Sequence, residues 1–183
     1  MNAPAVKRMT VPEFLAWAKV QDSGRFELVC GQIVAMAPER WEHVQAKQRA
    51  FRALEAAVER AGVACQALID GLAVAVDDET SYIPDALVNC GEPGAPDSLV
   101  APDPVVVVEV LSPSAHYIDT AVKLADFFRV PSLKHRLIVD LGRQHVVHYR
   151  KQLDGTATVV VMSEGEIAFD PPGISVAVAS FLG

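Results

Sequence analysis

The chain lacks most of the features that mark the commoner catalytic and membrane classes. No apolar run approaches the ~20 residues that span a bilayer. Residues 1–19 have neither the apolar core nor the small-residue cleavage site of a signal peptide, so a cytoplasmic location is the expectation. No Gly-x-Gly-x-x-Gly or Walker sequence supports a nucleotide cofactor, no His-Glu-x-x-His a zinc protease, and no Gly-x-Ser-x-Gly a serine hydrolase. Cysteine is scarce. Cys30, Cys65 and Cys90 stand far apart and outside CxxC pairs, which argues against a zinc ribbon or a disulfide scaffold; the expectation is buried, reduced thiols. Positive charge is in deficit too, with 16 basic residues against 23 acidic and a net charge of −7. That balance argues against a protein that coats nucleic acid by nonspecific attraction. It leaves room for a nuclease, because metal ions can neutralise a local acidic cluster.

What is present describes an ordinary globular chain. The 183 residues suffice for one substantial core, with 51% hydrophobic and 21% charged residues. Residues 1–9 carry no periodic pattern and read as a flexible N-terminus, so the domain is expected to span residues 10–183. Thr10-Val11-Pro12-Glu13 has the form of a capping box, with apolar residues Phe14, Leu15 and Trp17 behind it. Residues 25–29 and 32–36 alternate around Cys30-Gly31 as a β-hairpin. A long helix is predicted over 39–60, with Gly62 as its stop. Residues 65–69 and 72–76 flank Asp70-Gly71, a strong hairpin signal. Residues 83–89 form a further strand, and the Gly- and Pro-rich residues 91–104 a loop. Four successive valines in the strand 105–111 imply burial on both faces. A helix over 116–129 then leads to strands at 136–140 and 146–150, which suggests a parallel crossover. The remainder alternates short strands with turns. The fold class is therefore α/β, a mixed central sheet flanked by helices, with an N-terminal helix and hairpin.

Within this pattern Glu109 is the sharpest anomaly, a carboxylate inside Val105-Val106-Val107-Val108-Glu109-Val110-Leu111. Burying it is costly unless it is paired, protonated or bound to a metal. Either a wet strand end or an arginine partner would account for it structurally; a binding site would account for it functionally. Asp85, in Ile83-Pro84-Asp85-Ala86, is the second candidate. If its strand neighbours 105–111, the two carboxylates meet on one face and make a cation site. Alone, Pro-Asp before a strand is equally a turn. Lys123 is the third, four residues after Asp119 and beside Asp126. It reads either as part of an exposed ion-pair ladder or as a group that stabilises negative charge at a site. His116, His145 and His148 have no metal-ligand spacing and are read as surface or packing residues.

This constellation resembles the PD-(D/E)XK nuclease superfamily and, more closely, the Uma-two family of restriction-endonuclease-like proteins, once grouped as a domain of unknown function. The resemblance spans about residues 10–180. It is carried by Phe26-Glu27-Leu28-Val29-x-Gly31-x-Ile33-Val34-x-Met36, by His43 and by Pro84-Asp85. It continues through Val107-Val108-Glu109-Val110-Leu111-Ser112-Pro113-Ser114, Asp119-x-x-x-Lys123 and Leu137-Ile138-Val139-Asp140. The resemblance implies a restriction-endonuclease-like mixed sheet between helices. It implies Asp85 and Glu109 as metal ligands, with the Val110 carbonyl as a further one, and Lys123 as the catalytic lysine, moved from the usual position at Leu111 to the next helix. Glu27 and His43 match further positions near the site. Where the family has a tyrosine and an aromatic pair, this chain has Phe127-Phe128 and Lys134-His135-Arg136.

The expectation that follows is a Mg²⁺- or Mn²⁺-dependent endonuclease acting on DNA. RNA or a nucleotide would be cut by the same acids. The competing reading is a catalytically inactive binding or regulatory module on the same fold, which the acidic charge and the lack of a basic, aromatic-rich face favour. A homodimer would suit cleavage of both strands of a duplex, with only the large hydrophobic fraction in its support.

Overall fold

The computed structural model describes residues 8–111 and 117–183. Helix α1 (Val11–Ala18) starts at the anticipated capping box: Glu13 N–H donates to the Thr10 hydroxyl and Thr10 N–H to the Glu13 carboxylate. Strands β1 (Phe26–Val29) and β2 (Gln32–Ala35) form the expected hairpin. Its turn needs positive φ at both central residues, and Cys30 (48°) and Gly31 (75°) supply it. A Cβ on Gly31 would fall 2.5 Å from the Arg8 Cβ, so the turn also needs a bare backbone. Helix α2 (Trp41–Ala61) is closed by Gly62, whose left-handed φ of 61° lets its N–H reach back to the Val58 carbonyl.

Five strands follow before the next helix: β3 (Cys65–Ile69), β4 (Val74–Asp77), β5 (Thr80–Tyr82), β6 (Ala86–Cys90) and β7 (Pro104–Val110). Then come α3 (Tyr117–Phe127), β8 (His135–Asp140), β9 (His145–Lys151), β10 (Ala157–Met162), the hairpin β11 (Glu166–Phe169) and β12 (Ile174–Ala177), and α4 (Ala179–Leu182). The central sheet has the order β10-β9-β8-β7-β6-β3; β7 and β8 run parallel around α3 and the other pairs are antiparallel. A second sheet, β2-β1-β5-β4, stands beside it. The mixed sheet flanked by helices is as the sequence implied. The string Ser112-Pro113-Ser114 and His116 lie outside the described residues.

The valine run behaves as its composition demands. Val106 and Val108 pack on one face of β7 with Ala46, Ala50 and Leu54 of α2, whose small residues let the helix come close to the sheet. Val107 packs on the other face with Leu87, Tyr82, Phe127 and Leu133. All four valines are buried, and Glu109 is the one residue of the strand that is not fully so.

Two expectations are corrected. Asp70-Gly71 does not close a hairpin: β3 pairs with β6, while β4 pairs with β5 in the other sheet. The chain leaves the central sheet at Gly71, whose φ of 123° only glycine adopts without strain, and Asp70 is tied down elsewhere, its N–H donating to the Asp85 carbonyl. The same β3–β6 register sets Cys65 directly opposite Cys90, and the two form a disulfide rather than free thiols. Cys30 is free and exposed. Among the described residues no helix is long and apolar enough to cross a membrane.

Candidate metal centre

The site is built where β6 begins and β7 runs past it. Pro84 has no N–H to continue the β6 ladder, so the strand pairing gives out there. The Asp85 side chain takes over: its Oδ2 accepts the Val110 N–H at 2.7 Å, while its own N–H donates to the Val108 carbonyl at 3.0 Å. Continued one residue past the pair Ala86↔Val108, the register sets Asp85 across from Glu109. The two carboxylates anchor two different ionic networks.

The first network faces α2. His43 and Lys47 are four residues apart and so share a face of the helix. His43 Nε2 lies 3.5 Å from Asp85 Oδ2. The Lys47 ammonium, on a side chain only 3% exposed, lies 2.7 Å from Glu39, 2.6 Å from Asp70 and 3.1 Å from Asp85. Arg25 pairs with both Glu39 and Asp70. Burial works against the charges of Asp85, Glu39 and Lys47, but their partners outweigh it. Asp85 is held below its usual carboxylate range by His43, Lys47 and the Val110 N–H, and Glu39 by Lys47 and Arg25. Lys47 is correspondingly raised by Asp85, Asp70 and Glu39.

The second network faces α3 and the smaller sheet. Glu27 of β1 is 5% exposed and accepts the Ile83 N–H at 3.2 Å. Lys123 of α3 donates to both Glu27 oxygens, at 3.0 and 2.9 Å, lies 3.5 Å from Glu109 Oε1 and sits 4.9 Å over the Tyr82 ring. Arg136 stands opposite Val107 in the parallel β7–β8 register, on the face that carries Glu109. Its Nε donates to Glu109 Oε2 at 2.7 Å, and Nη2 to the same oxygen. Here burial wins at one group: it raises the Glu27 carboxyl above its ordinary value despite Lys123 and the Ile83 N–H, and the nearby Glu109 charge adds to the rise.

The structure thus joins the residues singled out from the sequence in two sets. Glu27, Glu109 and Lys123 come together, and so do Asp85, His43 and Val110, the last through its N–H. Sequence reasoning missed Lys47, Arg136, Glu39, Asp70 and Arg25. A signal existed for two of them. Lys47 is one helical turn from His43, and Arg136 interrupts an apolar strand just as Glu109 does. Glu39, Asp70 and Arg25 read as ordinary turn and surface charges.

Glu39, His43 and Asp85 offer donors of the kind that could hold a divalent ion. One ligand atom each from Glu39, His43 and Asp85 lies within 4.8 Å of the others. Ligands ~2.1 Å from one Mg²⁺ stand at most about 4.2 Å apart, so these three donors would have to draw closer to share one ion, with the rest of its octahedral shell left to other ligands. Carboxylate oxygens with an imidazole suit Mg²⁺, Mn²⁺ or Zn²⁺. Two surface hollows lie away from this polar cluster, one beside His148 and Glu166 and one beside Cys30 and Glu79.

A family model described as "Uma2: Putative restriction endonuclease" matches residues 11–179. Among solved structures, the chain is similar to the "crystal structure of a putative nuclease belonging to DUF820 from Anabaena variabilis". The likeness covers 95% of this chain and 97% of that one, with a TM-score of 0.71 at 18% sequence identity. No curated protein matches the chain.

Proposed function

Since the chain belongs to the Uma2 restriction-endonuclease family, we propose that it is a metal-dependent nuclease that hydrolyses DNA phosphodiester bonds, with Asp85 and Glu109 as the carboxylates that hold the metal. One observation carries this reading. A carboxylate in an otherwise apolar, buried strand stands in register with a second one, and a lysine from the following crossover helix reaches the first. Buried charges so arranged are retained for chemistry more readily than for stability.

Asp85 and Glu109 would hold the ion, with Glu39 and His43 beside Asp85 and the Val110 carbonyl as a further ligand. A Mg²⁺ or Mn²⁺ ion bound there would lower the pKa of a water and take up charge on the scissile phosphate. Lys123 presents its ammonium between Glu27 and Glu109, where it can stabilise a phosphorane-like oxyanion. Glu27, with its proton affinity raised by burial, is suited to accept the proton of the attacking water. The Asp85 carboxylate stays ionised and available as a ligand, because its partners hold its pKa down.

Glu109→Ala and Asp85→Ala should each abolish Mn²⁺-dependent cleavage of plasmid DNA while circular dichroism shows the fold retained. Cleavage by both variants at the parental rate refutes the assignment. A second reading rests on a specific observation, the engagement of these carboxylates by Lys47, Lys123 and Arg136. With the net charge of −7, it favours a nuclease-fold module that binds without cutting. Calorimetric titration with Mn²⁺ followed by incubation with plasmid separates the two: the module binds no metal. A homodimer presenting two such sites to a duplex completes the first reading, and sedimentation tests it.

A further inference from the structure

Resting on the metal-dependent reading, we propose that Arg136 is a built-in competitor of the metal: its guanidinium grips Glu109, and the affinity of the site for a divalent ion is set by how far that grip must yield.

The geometry is specific. Arg136 is among the largest fully buried side chains of the molecule, and its side chain is 2% exposed. Its backbone is locked in the centre of the sheet, paired with Val107 on one side and Tyr149 on the other. Its guanidinium carbon lies 5.5 Å from the centroid of the Phe127 ring, itself fully buried. This cation cannot swing into solvent as an exposed arginine would. Two of its donors, Nε and Nη2, converge on one carboxylate oxygen, Oε2, which leaves Oε1 turned toward Lys123 at 3.5 Å. A divalent ion approaching Glu109 therefore finds one oxygen engaged in charge-assisted hydrogen bonds and the other facing an ammonium. It can take Glu109 through Oε1 alone, against the repulsion of two fixed positive charges, or it must displace the guanidinium. Either route weakens binding relative to a free carboxylate. Asp85 is engaged differently: its Oδ2 accepts the Val110 N–H and its Oδ1 faces the Lys47 ammonium. Its neighbours Lys47 and His43 come from α2, and His43 is itself a metal-ligand type. Arg136 thus limits metal affinity on the Glu109 side of the centre.

The test is calorimetric Mn²⁺ titration of the full chain and of Arg136→Gln, Arg136→Lys and Arg143→Gln. Arg143 is exposed and pairs with Asp140, so its replacement removes the same charge away from the centre. The expected result is that Arg136→Gln binds Mn²⁺ at least tenfold more tightly than the parent, that Arg136→Lys falls between them, and that Arg143→Gln matches the parent. The gain should vanish when Glu109→Gln is added to Arg136→Gln. Arg136→Gln strands a buried carboxylate, so it is also expected to show a larger Mn²⁺-induced rise in Tm than the parent. If it unfolds without metal, Arg136→Lys, which keeps the charge and loses the fork, carries the affinity comparison. Equal, measurable affinity in the parent and both Arg136 variants overturns the inference and leaves the metal site standing. Absence of Mn²⁺ binding in every variant overturns the metal reading itself, and this one with it.

Discussion

Replacing Lys47 with methionine removes one ammonium and almost nothing else, since the two side chains are of similar length. The consequence follows from what surrounds Nζ. Three carboxylates, of Glu39, Asp70 and Asp85, lie within 2.6–3.1 Å of it, and the lysine side chain is 3% exposed. Removing one partner of a buried ion pair costs ~3–5 kcal/mol, because the remaining charge stays desolvated without compensation. The lower end applies here. Glu39 and Asp70 keep Arg25, and both are about a fifth exposed, while Asp85 keeps His43 and the Val110 N–H. A loss of about 3 kcal/mol in a chain of this size lowers Tm by roughly 6–12 °C. The pH dependence is diagnostic. Asp85 and Glu39 have pKa values below their ordinary 3.8 and 4.5, so their paired-state stabilisation is fully present above about pH 4.5 and is lost as pH falls through the lower folded values. Lys47 has its pKa raised above 10.5, so its share is fully present below that pH and is lost as pH rises beyond it. Urea unfolding should therefore separate parent from Lys47→Met by about 3 kcal/mol at pH 7, with the gap closing toward pH 3. If the nuclease reading is right, Mn²⁺ should restore part of the loss by taking the vacated cation position. A pH 7 difference below about 1 kcal/mol, or one unchanged at pH 3, would refute the reasoning, since surface pairs are worth no more than that.

Two further outcomes are expected. Burial, reinforced by neighbouring charge, lowers His135 and His148 from 6.5 to about 4. Their rings are hydrogen-bonded to each other at 3.0 Å, and His135 donates to the Pro171 carbonyl. Unfolded imidazoles take up protons below about pH 6.5 and these only below about 4, so stability should rise with pH across that window and level off above it, by about 3 kcal/mol for one imidazole. His148→Gln should flatten the slope, and an unchanged slope would show that other groups cause it. Reduction of Cys65–Cys90, which closes a loop of 25 residues, should lower stability by about 3 kcal/mol on loop-entropy grounds. A urea midpoint unmoved by dithiothreitol would contradict this.

Much of the local structure was legible in the chain itself. The capping box at Thr10, the Cys30-Gly31 turn and the Gly62 stop rest on interactions between residues a few positions apart, and these leave their mark in the order of residues. The burial of β7 on both faces was equally plain, because four successive valines have no polar face to present. So was Glu109, which breaks that run. Pairing between distant strands was not legible. Asp70-Gly71 has every local feature of a hairpin, yet β3 finds β6, some twenty residues on, because the register that buries Leu87 and Val88 also aligns Cys65 with Cys90.

The same distinction divides the candidate site. Sequence alone determined which side chains were out of place for their surroundings: a carboxylate in an apolar strand, and another at a strand's first turn. Only the tertiary structure decided what each of them meets. Lys47 and Arg136 are long-range partners, brought to Asp85 and Glu109 by helix packing and by a parallel strand pairing, and a cation on a helix or in a strand carries no local sign of the carboxylate it will neutralise. Periodicity records which face is buried; it does not record what lies across the gap.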